Sequence, residues 1–280
     1  MRANERQAQA WNGPEAAYFV ANADRLDRQF EPITQALVGR ILPAIDRFVL
    51  DVGCGSGATT LAAAATAERV VGADLSKPLV ELARHRAQAA MITNAEFVVA
   101  DAQAHDFVGG TFDCLISQFG LMFFDDPVPA FANLRQALRP GGWAAFVSWQ
   151  NLHANEWLAP IADAVSRHAE LPEFGGRSRG PGMFALSEPD EITALLSAAG
   201  FDRITCDSFT PTIVVGGGGE IDDSIDFLLD NPMPRGLLGL VDPSARDDVL
   251  RAVHAELVDR YQQGVGICLG AAVWVVTAQA

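Results

Sequence analysis

The stretch FVLDVGCGSGATTLA, residues 48–62, decides the fold. Its apolar run ends at Asp51, glycines follow at Gly53, Gly55 and Gly57, and an alanine-rich, helix-forming run begins. A strand that ends in a glycine turn before a helix brings backbone close to a ligand and directs free helix N–H groups at it. The stretch therefore predicts a ligand-binding loop between a strand and a helix.

Short apolar runs alternate with helix-forming segments on both sides of this loop, a pattern that is typical of a parallel α/β sheet. Strands are predicted at 47–52, 69–74, 96–100, 112–118 and 143–149. Helices are predicted at 58–67, 78–90 and 128–138, and at 13–42 with a break near 30–32. Further along, the pattern predicts helices at 155–170 and 188–199, a loop at 171–183, and long strands at 201–215 and 266–277. A helical insertion at about 220–263 separates these last strands, which are expected to pair at the sheet edge.

The composition limits the classes of function. Hydrophobic residues make up 49% of the chain and charged residues 20%, so a buried core is expected. The net charge of −15 argues against nucleic-acid binding, which needs clustered Lys and Arg. The cysteines are far apart and the histidines lack ligand spacing, so neither disulfides nor a metal site is predicted. No secretory signal or membrane-spanning run is visible, which predicts a cytoplasmic protein without a membrane partner.

The glycine loop admits more than one ligand. No Lys-Ser or Lys-Thr pair follows it, so a nucleoside triphosphate is disfavoured. Gly53, Gly55 and Ala58 match the dinucleotide fingerprint G-x-G-x-x-[GA], and Asp74 lies near the position of a ribose-binding acid. A nicotinamide-dependent oxidoreductase is therefore one alternative. Asp51, directly before the loop, repels phosphate and favours a ligand that carries an ammonium or sulfonium charge.

Acidic residues follow three successive predicted strands, at Asp51, Asp74 and Asp101. Open α/β sheets bind ligands at the carboxyl ends of their strands, so these side chains are expected at one edge. Each one alone is explained as a helix cap. Together they predict a site rich in acceptors for amines and hydroxyls.

At this point the chain resembles the class I S-adenosylmethionine-dependent methyltransferases. Segments within 48–149 match the family in order: VLDVGCGSG, VVGADLS, VVADAQ, FDCLISQFGLMFFDDP and FANLRQALRPGGWAAFVSW. PGMFALSEPDEITALLSAAGF is similar to a segment of a bacterial small-molecule methyltransferase branch. The resemblance implies an α/β, Rossmann-like three-layer sandwich with helical cap insertions. Its sheet would be mostly parallel and seven-stranded, with the last strand antiparallel.

The same resemblance implies a single methyltransferase domain over 1–280. Residues 1–45 would form an N-terminal helical cap and 46–150 the cofactor-binding half. Residues 151–280 would form the substrate half, with insertions at about 151–185 and 220–263. The implied cofactor is S-adenosyl-L-methionine, and the implied product is S-adenosyl-L-homocysteine.

The family also implies a cofactor contact for each matching residue near a strand end. The methionine part would contact the glycine loop at Gly53, Cys54, Gly55 and Gly57, and its amino group would contact Asp51 through water. The ribose hydroxyls would bind Asp74, the adenine ring would contact Leu75 and Ala102, and the adenine amine would bind Asp101. Ser117 and Gln118 would lie near the methyl group. Relatives often carry Arg where this chain has Gln118, so no salt bridge is expected there.

The implied function is methyl transfer to a small, partly hydrophobic organic acceptor by direct in-line displacement. His153, just beyond the fifth strand, is the candidate general base, and a surface-loop residue is its alternative. Aromatic residues predict an apolar acceptor pocket: Tyr18, Phe123, Trp149, Trp157 and Phe184. A cofactor-binding protein without methyl transfer, either a cyclase or a regulatory binder, stays an alternative. The oligomeric state is open, with a homodimer as one option.

Overall fold

A seven-stranded sheet forms the centre of the computed structural model, which describes residues 4–41, 47–176 and 180–280. From one edge to the other its strands are β3 (Ala95–Val99), β2 (Arg69–Asp74), β1 (Phe48–Val52), β4 (Phe112–Gln118), β5 (Leu138–Trp149), β10 (Val273–Gln279) and β6 (Asp202–Phe209). The strands from β3 to β5 run parallel, and β10 is antiparallel to both of its neighbours. The predicted Rossmann-like α/β fold with an antiparallel last strand is confirmed.

Helices flank this sheet. In chain order they are α1 (Glu5–Ala10), α2 (Pro14–Ala21), α3 (Ala23–Gly39), α4 (Ala58–Ala64), α5 (Lys77–Ala89), α6 (Pro127–Ala137), α7 (Ala159–Ser166), α8 (Pro189–Ala198), α9 (Ile221–Asp230), α10 (Pro232–Leu238) and α11 (Arg246–Val258). Within the described ranges, no helix combines the length and the apolar character needed to cross a membrane.

The central strands place the glycine loop at a buried position. β1 and β4 are buried along almost their entire length, as expected for parallel strands that are covered on both faces. The N–H groups of Gly53 and Cys54 both donate to the carbonyl oxygen of Ala73, at 2.8 and 3.2 Å. The loop is thereby fixed to the end of β2, directly beside the strand from which it emerges.

The two long C-terminal strands differ from the prediction. The segment predicted as one strand at 201–215 is divided into β6 and β7 (Thr212–Val214), and the segment at 266–277 is divided into β9 (Gly266–Gly270) and β10. β7 and β9 form a second, small sheet with β8 (Tyr261–Gln262). Pro211 separates β6 from β7, because proline offers no N–H group to a strand ladder. The predicted pairing at the edge is confirmed, since β10 pairs with β6 and the two strands form one end of the sheet, with β6 outermost.

The N-terminal helices break at a different residue from the predicted one. The break lies at Asn22, between α2 and α3, whereas Pro32 lies inside α3. The buried face of α3, which includes Ile33 and Leu37, packs into the core and offsets the hydrogen bond that proline removes. Some predictions concern residues outside the described ranges. They are the end of this helical region at Leu42 and parts of the predicted cap at 1–45 and of the predicted loop at 171–183.

Candidate functional site

The glycine loop after β1 has the geometry that its sequence predicts. Gly53, Gly55 and Gly57 all have positive φ angles, of 69°, 52° and 93°. A Cβ atom at Gly53 would lie 2.6 Å from the Cα of Gly120, in the turn after β4. A Cβ atom at Gly55 would meet no protein atom within 4 Å. Gly53 thus permits close backbone packing, whereas Gly55 leaves open space.

Asp74 and Asp101 lie at the carboxyl ends of neighbouring strands and line one cavity with this loop. The Asp74 carboxylate accepts hydrogen bonds from the N–H groups of Gly55, at 2.8 Å, and Ser76, at 2.7 Å. Burial raises the pKa of Asp74, and these backbone donors oppose that rise. Asp101 Oδ1 accepts from the N–H of Gln103 at 3.1 Å. Both carboxylates are therefore held in fixed orientations by backbone.

Asp51 is placed differently from the other two acids. It is fully buried, and its Oδ2 accepts hydrogen bonds from the hydroxyls of Thr59, at 2.5 Å, and Thr60, at 2.6 Å. Its Oδ1 has no hydrogen-bond partner among the described residues. Burial raises the pKa of Asp51 to about 6, although both hydroxyls lower it. Asp51 is absent from the lining formed by the described residues, whereas its hydrogen-bond donor Thr59 belongs to that lining.

The cavity has a volume of about 580 Å³ and extends from the strand ends to the N-terminal helices. Several predicted cofactor residues line it: Gly53, Cys54, Gly55, Asp74, Leu75, Asp101, Ala102 and Gln118. Three predicted acceptor residues line it as well: Phe123, Trp149 and Trp157. The structure therefore brings the two predicted groups together in one space.

Other predicted site residues lie outside the lining that the described residues form. Gly57 and Ser117 pack behind the cavity wall, and Ser117 is fully buried. The Tyr18 side chain points toward α9, where its hydroxyl donates a hydrogen bond to the carbonyl oxygen of Phe227 at 3.3 Å. Burial raises the pKa of Tyr18 to about 12. Phe184 is buried against Phe174.

His153 also lies away from the cavity. It belongs to the 3-10 turn Leu152–Ala154 after β5, and its side chain is exposed. It is absent from the lining formed by the described residues. This placement matches the surface-loop alternative more closely than the role of a general base.

Four aromatic residues that line the cavity form an aromatic wall: Phe30, Phe119, Trp149 and Trp157. Phe119 stacks on Trp149 with ring centroids 4.2 Å apart and planes 1° apart. Phe30 meets both rings edge-on, at 5.6 and 5.8 Å, and Trp157 lies 5.3 Å from Trp149. Phe119 has a φ of 63°, a conformation that a bulky residue rarely adopts and that is concentrated at functional sites.

Sequence reasoning missed part of this wall and the acids of the N-terminal helices. Phe30 and Asp27 on α3, Glu15 on α2 and Phe119 after β4 all line the cavity. Phe119 is the residue next to Gln118, in the loop that the sequence already assigned to the ligand side. The α3 residues carried no comparable signal, because nothing in the local pattern shows which face of α3 meets the cavity.

The charged residues of the cavity lining all have one sign. The lining contains Glu15, Asp27, Asp74 and Asp101, and no Lys, Arg or His among the described residues. Gln118 adds an uncharged polar group, with its Oε1 accepting from the Thr34 hydroxyl at 3.0 Å. Such a lining suits a ligand that carries hydroxyls, amines and positive charge, and it disfavours phosphates.

The N-terminal helices are tied to the strand ends by asparagine side chains. Asn12 donates to the carbonyl oxygen of Leu75 at 3.1 Å and accepts from the N–H of Lys77 at 2.9 Å. The side-chain amide of Asn4 donates to Asp101 Oδ1 at 3.0 Å. These bonds place α1 and α2 over the ends of β2 and β3, and so they cover that part of the cavity.

A family model described as a methyltransferase domain matches residues 49–142. A ubiquinone biosynthesis O-methyltransferase of Thiobacillus denitrificans is 30% identical over 207 residues, which cover 72% of this chain and 84% of that protein. The aklanonic acid methyltransferase of a Streptomyces species is 33% identical over 129 residues, covering 45% of this chain and 59% of that protein. The chain spans about half the length of the first curated relatives that it matches.

Among solved structures, the YcgJ protein of Bacillus subtilis superposes with a TM-score of 0.59 at 18% sequence identity. The superposition covers 89% of this chain and 98% of that protein. At this identity the likeness concerns the fold alone. It agrees with the Rossmann-like fold described above.

Proposed function

The chain belongs to the class I S-adenosylmethionine-dependent methyltransferases, and we propose that it transfers the cofactor's methyl group to a small, partly hydrophobic organic acceptor by direct in-line displacement. The observation that carries this proposal is the composition of the cavity. The glycine loop, the strand-end acids and the aromatic wall all line this one cavity. A cofactor and an acceptor bound in this space would lie against each other, and positioning of this kind supplies much of the rate enhancement of a displacement reaction.

The residues at the strand ends fit the cofactor. Asp74 and Asp101 present carboxylate oxygens to the cavity for the ribose hydroxyls and the adenine amine, and Leu75 and Ala102 supply apolar surface for the ring. The open space at Gly55 leaves room for a ligand to approach the loop backbone. When bound, S-adenosylmethionine supplies a methyl group made electrophilic by the sulfonium centre.

The chain's own contribution to transfer is positioning and exclusion of water. The buried rings of Trp149 and Trp157 give the acceptor side an apolar wall, and Gln118 offers an uncharged polar group beside it. The titratable side chains of the described lining are carboxylates and the thiol of Cys54, and burial raises the pKa of that thiol well above its usual value. Proton removal from an acceptor hydroxyl would therefore fall to a carboxylate or to water.

The lining also supports a class of acceptor. An anionic acceptor would meet Glu15 and Asp27 without a cation in the described lining, so we expect the acceptor to be uncharged or cationic. One of the relatives named above is a ubiquinone biosynthesis O-methyltransferase. By analogy, we propose an aromatic or quinone-like hydroxyl compound as the first class to test, and the stacked Phe119–Trp149 pair supports a flat acceptor.

Titration calorimetry with S-adenosylhomocysteine tests the cofactor half of this proposal. The wild-type protein is expected to bind it, and Asp74→Ala is expected to lose binding, because the ribose acceptor disappears. The matched control is Glu96→Ala, which removes an exposed acid of β3 that pairs with Arg69 outside the cavity lining. Wild-type affinity in Asp74→Ala would refute the site assignment.

Methyl transfer itself is tested with labelled S-adenosylmethionine and a panel of aromatic hydroxyl and quinol compounds, with the product identified by mass. We expect uncharged members of the panel to be methylated and carboxylated or phosphorylated analogues to be poor acceptors. Cofactor binding without methyl consumption across the panel would refute the transfer proposal and favour a cofactor-binding protein of the same fold.

A further inference from the structure

Asp27 is the acidic side chain of α3 that faces the cavity on the side of the glycine loop. It lines the cavity together with Leu26 and Phe30, and its side chain is 27% exposed. Asp24, one helical turn earlier, is 78% exposed and does not line the cavity. The two acids thus share a helix face but differ in their access to the ligand space.

One guanidinium group connects Asp27 to the glycine loop. Arg86 on α5 donates to the carbonyl oxygen of Ser56 at 3.0 Å, to Asp24 Oδ1 at 2.9 Å and, through a short contact, to Asp27 Oδ2. The Asp27 carboxylate therefore lies within the span of a single guanidinium from the loop. That loop is the segment expected to run along the methionine part of the cofactor.

The charges around Arg86 do not balance. Two carboxylates, Asp24 and Asp27, face one guanidinium, so the cluster keeps a net negative charge. Asp27 Oδ2 is occupied by Arg86, whereas no hydrogen bond to Oδ1 is found among the described residues. A cation that entered the cavity beside the loop would find an oriented carboxylate oxygen and would offset this charge.

Asp51, the acid that the sequence offered for this role, is poorly placed for it. It is fully buried, and two threonine hydroxyls occupy its Oδ2. Asp74 is already engaged by the backbone of Gly55 and Ser76. Of the two acids that the N-terminal helices add to the described lining, Glu15 and Asp27, it is Asp27 that Arg86 connects to the glycine loop.

We propose that Asp27 binds the α-ammonium group of the cofactor's methionine part, with Arg86 holding the carboxylate against the glycine loop. The proposal rests on the function proposed above, because it requires S-adenosylmethionine in this cavity. It replaces the water-mediated contact of Asp51 with a direct contact from the N-terminal helices. Cofactor binding would then depend on the position of α3, which also carries Phe30 of the aromatic wall.

The test compares two ligands and two variants by titration calorimetry. S-adenosylhomocysteine carries the α-ammonium group, whereas methylthioadenosine carries the same nucleoside without the amino-acid part. Asp27→Asn is expected to weaken S-adenosylhomocysteine binding at least about tenfold, the value of one charge-assisted hydrogen bond. Its affinity for methylthioadenosine is expected to stay at the wild-type value. The matched control Asp24→Asn, which removes the other partner of Arg86, is expected to leave both affinities unchanged.

Each other result overturns the proposal. An unchanged affinity of Asp27→Asn for S-adenosylhomocysteine would show that the ammonium group does not depend on Asp27. Equal losses for the two ligands, or an equal loss in Asp24→Asn, would show that the ion-pair cluster only supports the fold. If Asp27→Asn does not fold, Asp27→Glu replaces it, because glutamate keeps the negative charge. This variant is expected to preserve the wild-type ratio of the affinity for S-adenosylhomocysteine to the affinity for methylthioadenosine, and a ratio that falls to one contradicts the proposal. Failure of the wild-type protein to bind S-adenosylhomocysteine would instead refute the proposed function.

Discussion

Replacing Gly53 with alanine is expected to destabilise the fold, because two backbone segments meet there without room for a side chain. A Cβ atom at Gly53 would lie 2.6 Å from Gly120 Cα, and a Cβ atom at Gly120 would lie 2.7 Å from the carbonyl oxygen of Val52. Real Cβ atoms essentially never approach so closely, and the opposing atoms are backbone, so no change of rotamer relieves the clash. The glycine loop and the end of β4 would have to separate.

Two contributions set the expected loss of stability in Gly53→Ala. Gly53 has a φ of 69°, and a left-handed conformation costs alanine about 1–2 kcal/mol. Forcing additional atoms into a packed region adds about 1–3 kcal/mol. The free energy of unfolding of Gly53→Ala is therefore expected to fall by about 2–5 kcal/mol.

Gly55 provides the matched control in the same loop. Its φ of 52° imposes the same backbone cost on alanine, but a Cβ atom there would meet no protein atom within 4 Å. Gly55→Ala is therefore expected to lose only about 1–2 kcal/mol. The difference between the two variants, about 1–3 kcal/mol, isolates the clash with Gly120 from the cost of the backbone conformation.

Urea unfolding of the two variants and the wild type, followed by circular dichroism, measures this difference. The denaturant dependence is expected to be equal in all three proteins, since the surface exposed on unfolding hardly changes. Equal destabilisation of Gly53→Ala and Gly55→Ala would refute the reasoning. It would mean that the close approach of Gly53 and Gly120 is relieved without cost.

Two further predictions concern Asp51 and His153. Burial raises the pKa of Asp51 in the folded state to about 6, above its unfolded value of 3.8, so its contribution to stability is fully present below pH 3.8 and is lost as the pH rises through about 6. The difference in the free energy of unfolding between the wild type and Asp51→Asn is therefore expected to fall by about 2–3 kcal/mol between pH 3.8 and 7. Urea unfolding at several pH values measures this difference, and a difference that does not change with pH would contradict the prediction. Because His153 is exposed outside the cavity lining, His153→Ala is expected to keep the wild-type methyl-transfer rate and affinity for S-adenosylhomocysteine. A lost rate with intact affinity would restore His153 as the general base.

The position of the antiparallel strand shows where sequence reasoning reached its limit in the fold. The apolar run at 266–277 correctly predicted strand structure and pairing with the run at 201–215, but no local signal identified β5 as its other neighbour. β10 lies between β5 and β6 because its two buried faces complete the hydrophobic core there. The division of this run into β9 and β10 likewise depends on the second sheet, which forms only when β7 and β8 pack beside it.

The sequence by itself largely determined which residues at the strand ends line the cavity. A glycine loop must follow β1 closely, and the acids that follow parallel strands must share one edge, so Gly55, Asp74 and Asp101 were predictable from chain position alone. These are short-range consequences of strand direction and backbone conformation.

Only the tertiary structure decided which side chains face the ligand space from elements distant in sequence. It buries Asp51 under two threonines, although its position in the sequence matched the expected contact. It brings Asp27 and Phe30 from α3 to the cavity, and it stacks Phe119 on Trp149. The physical reason is that exposure to a cavity depends on how helices and strands from separate parts of the chain pack around it, and local patterns of hydrophobicity do not specify that packing.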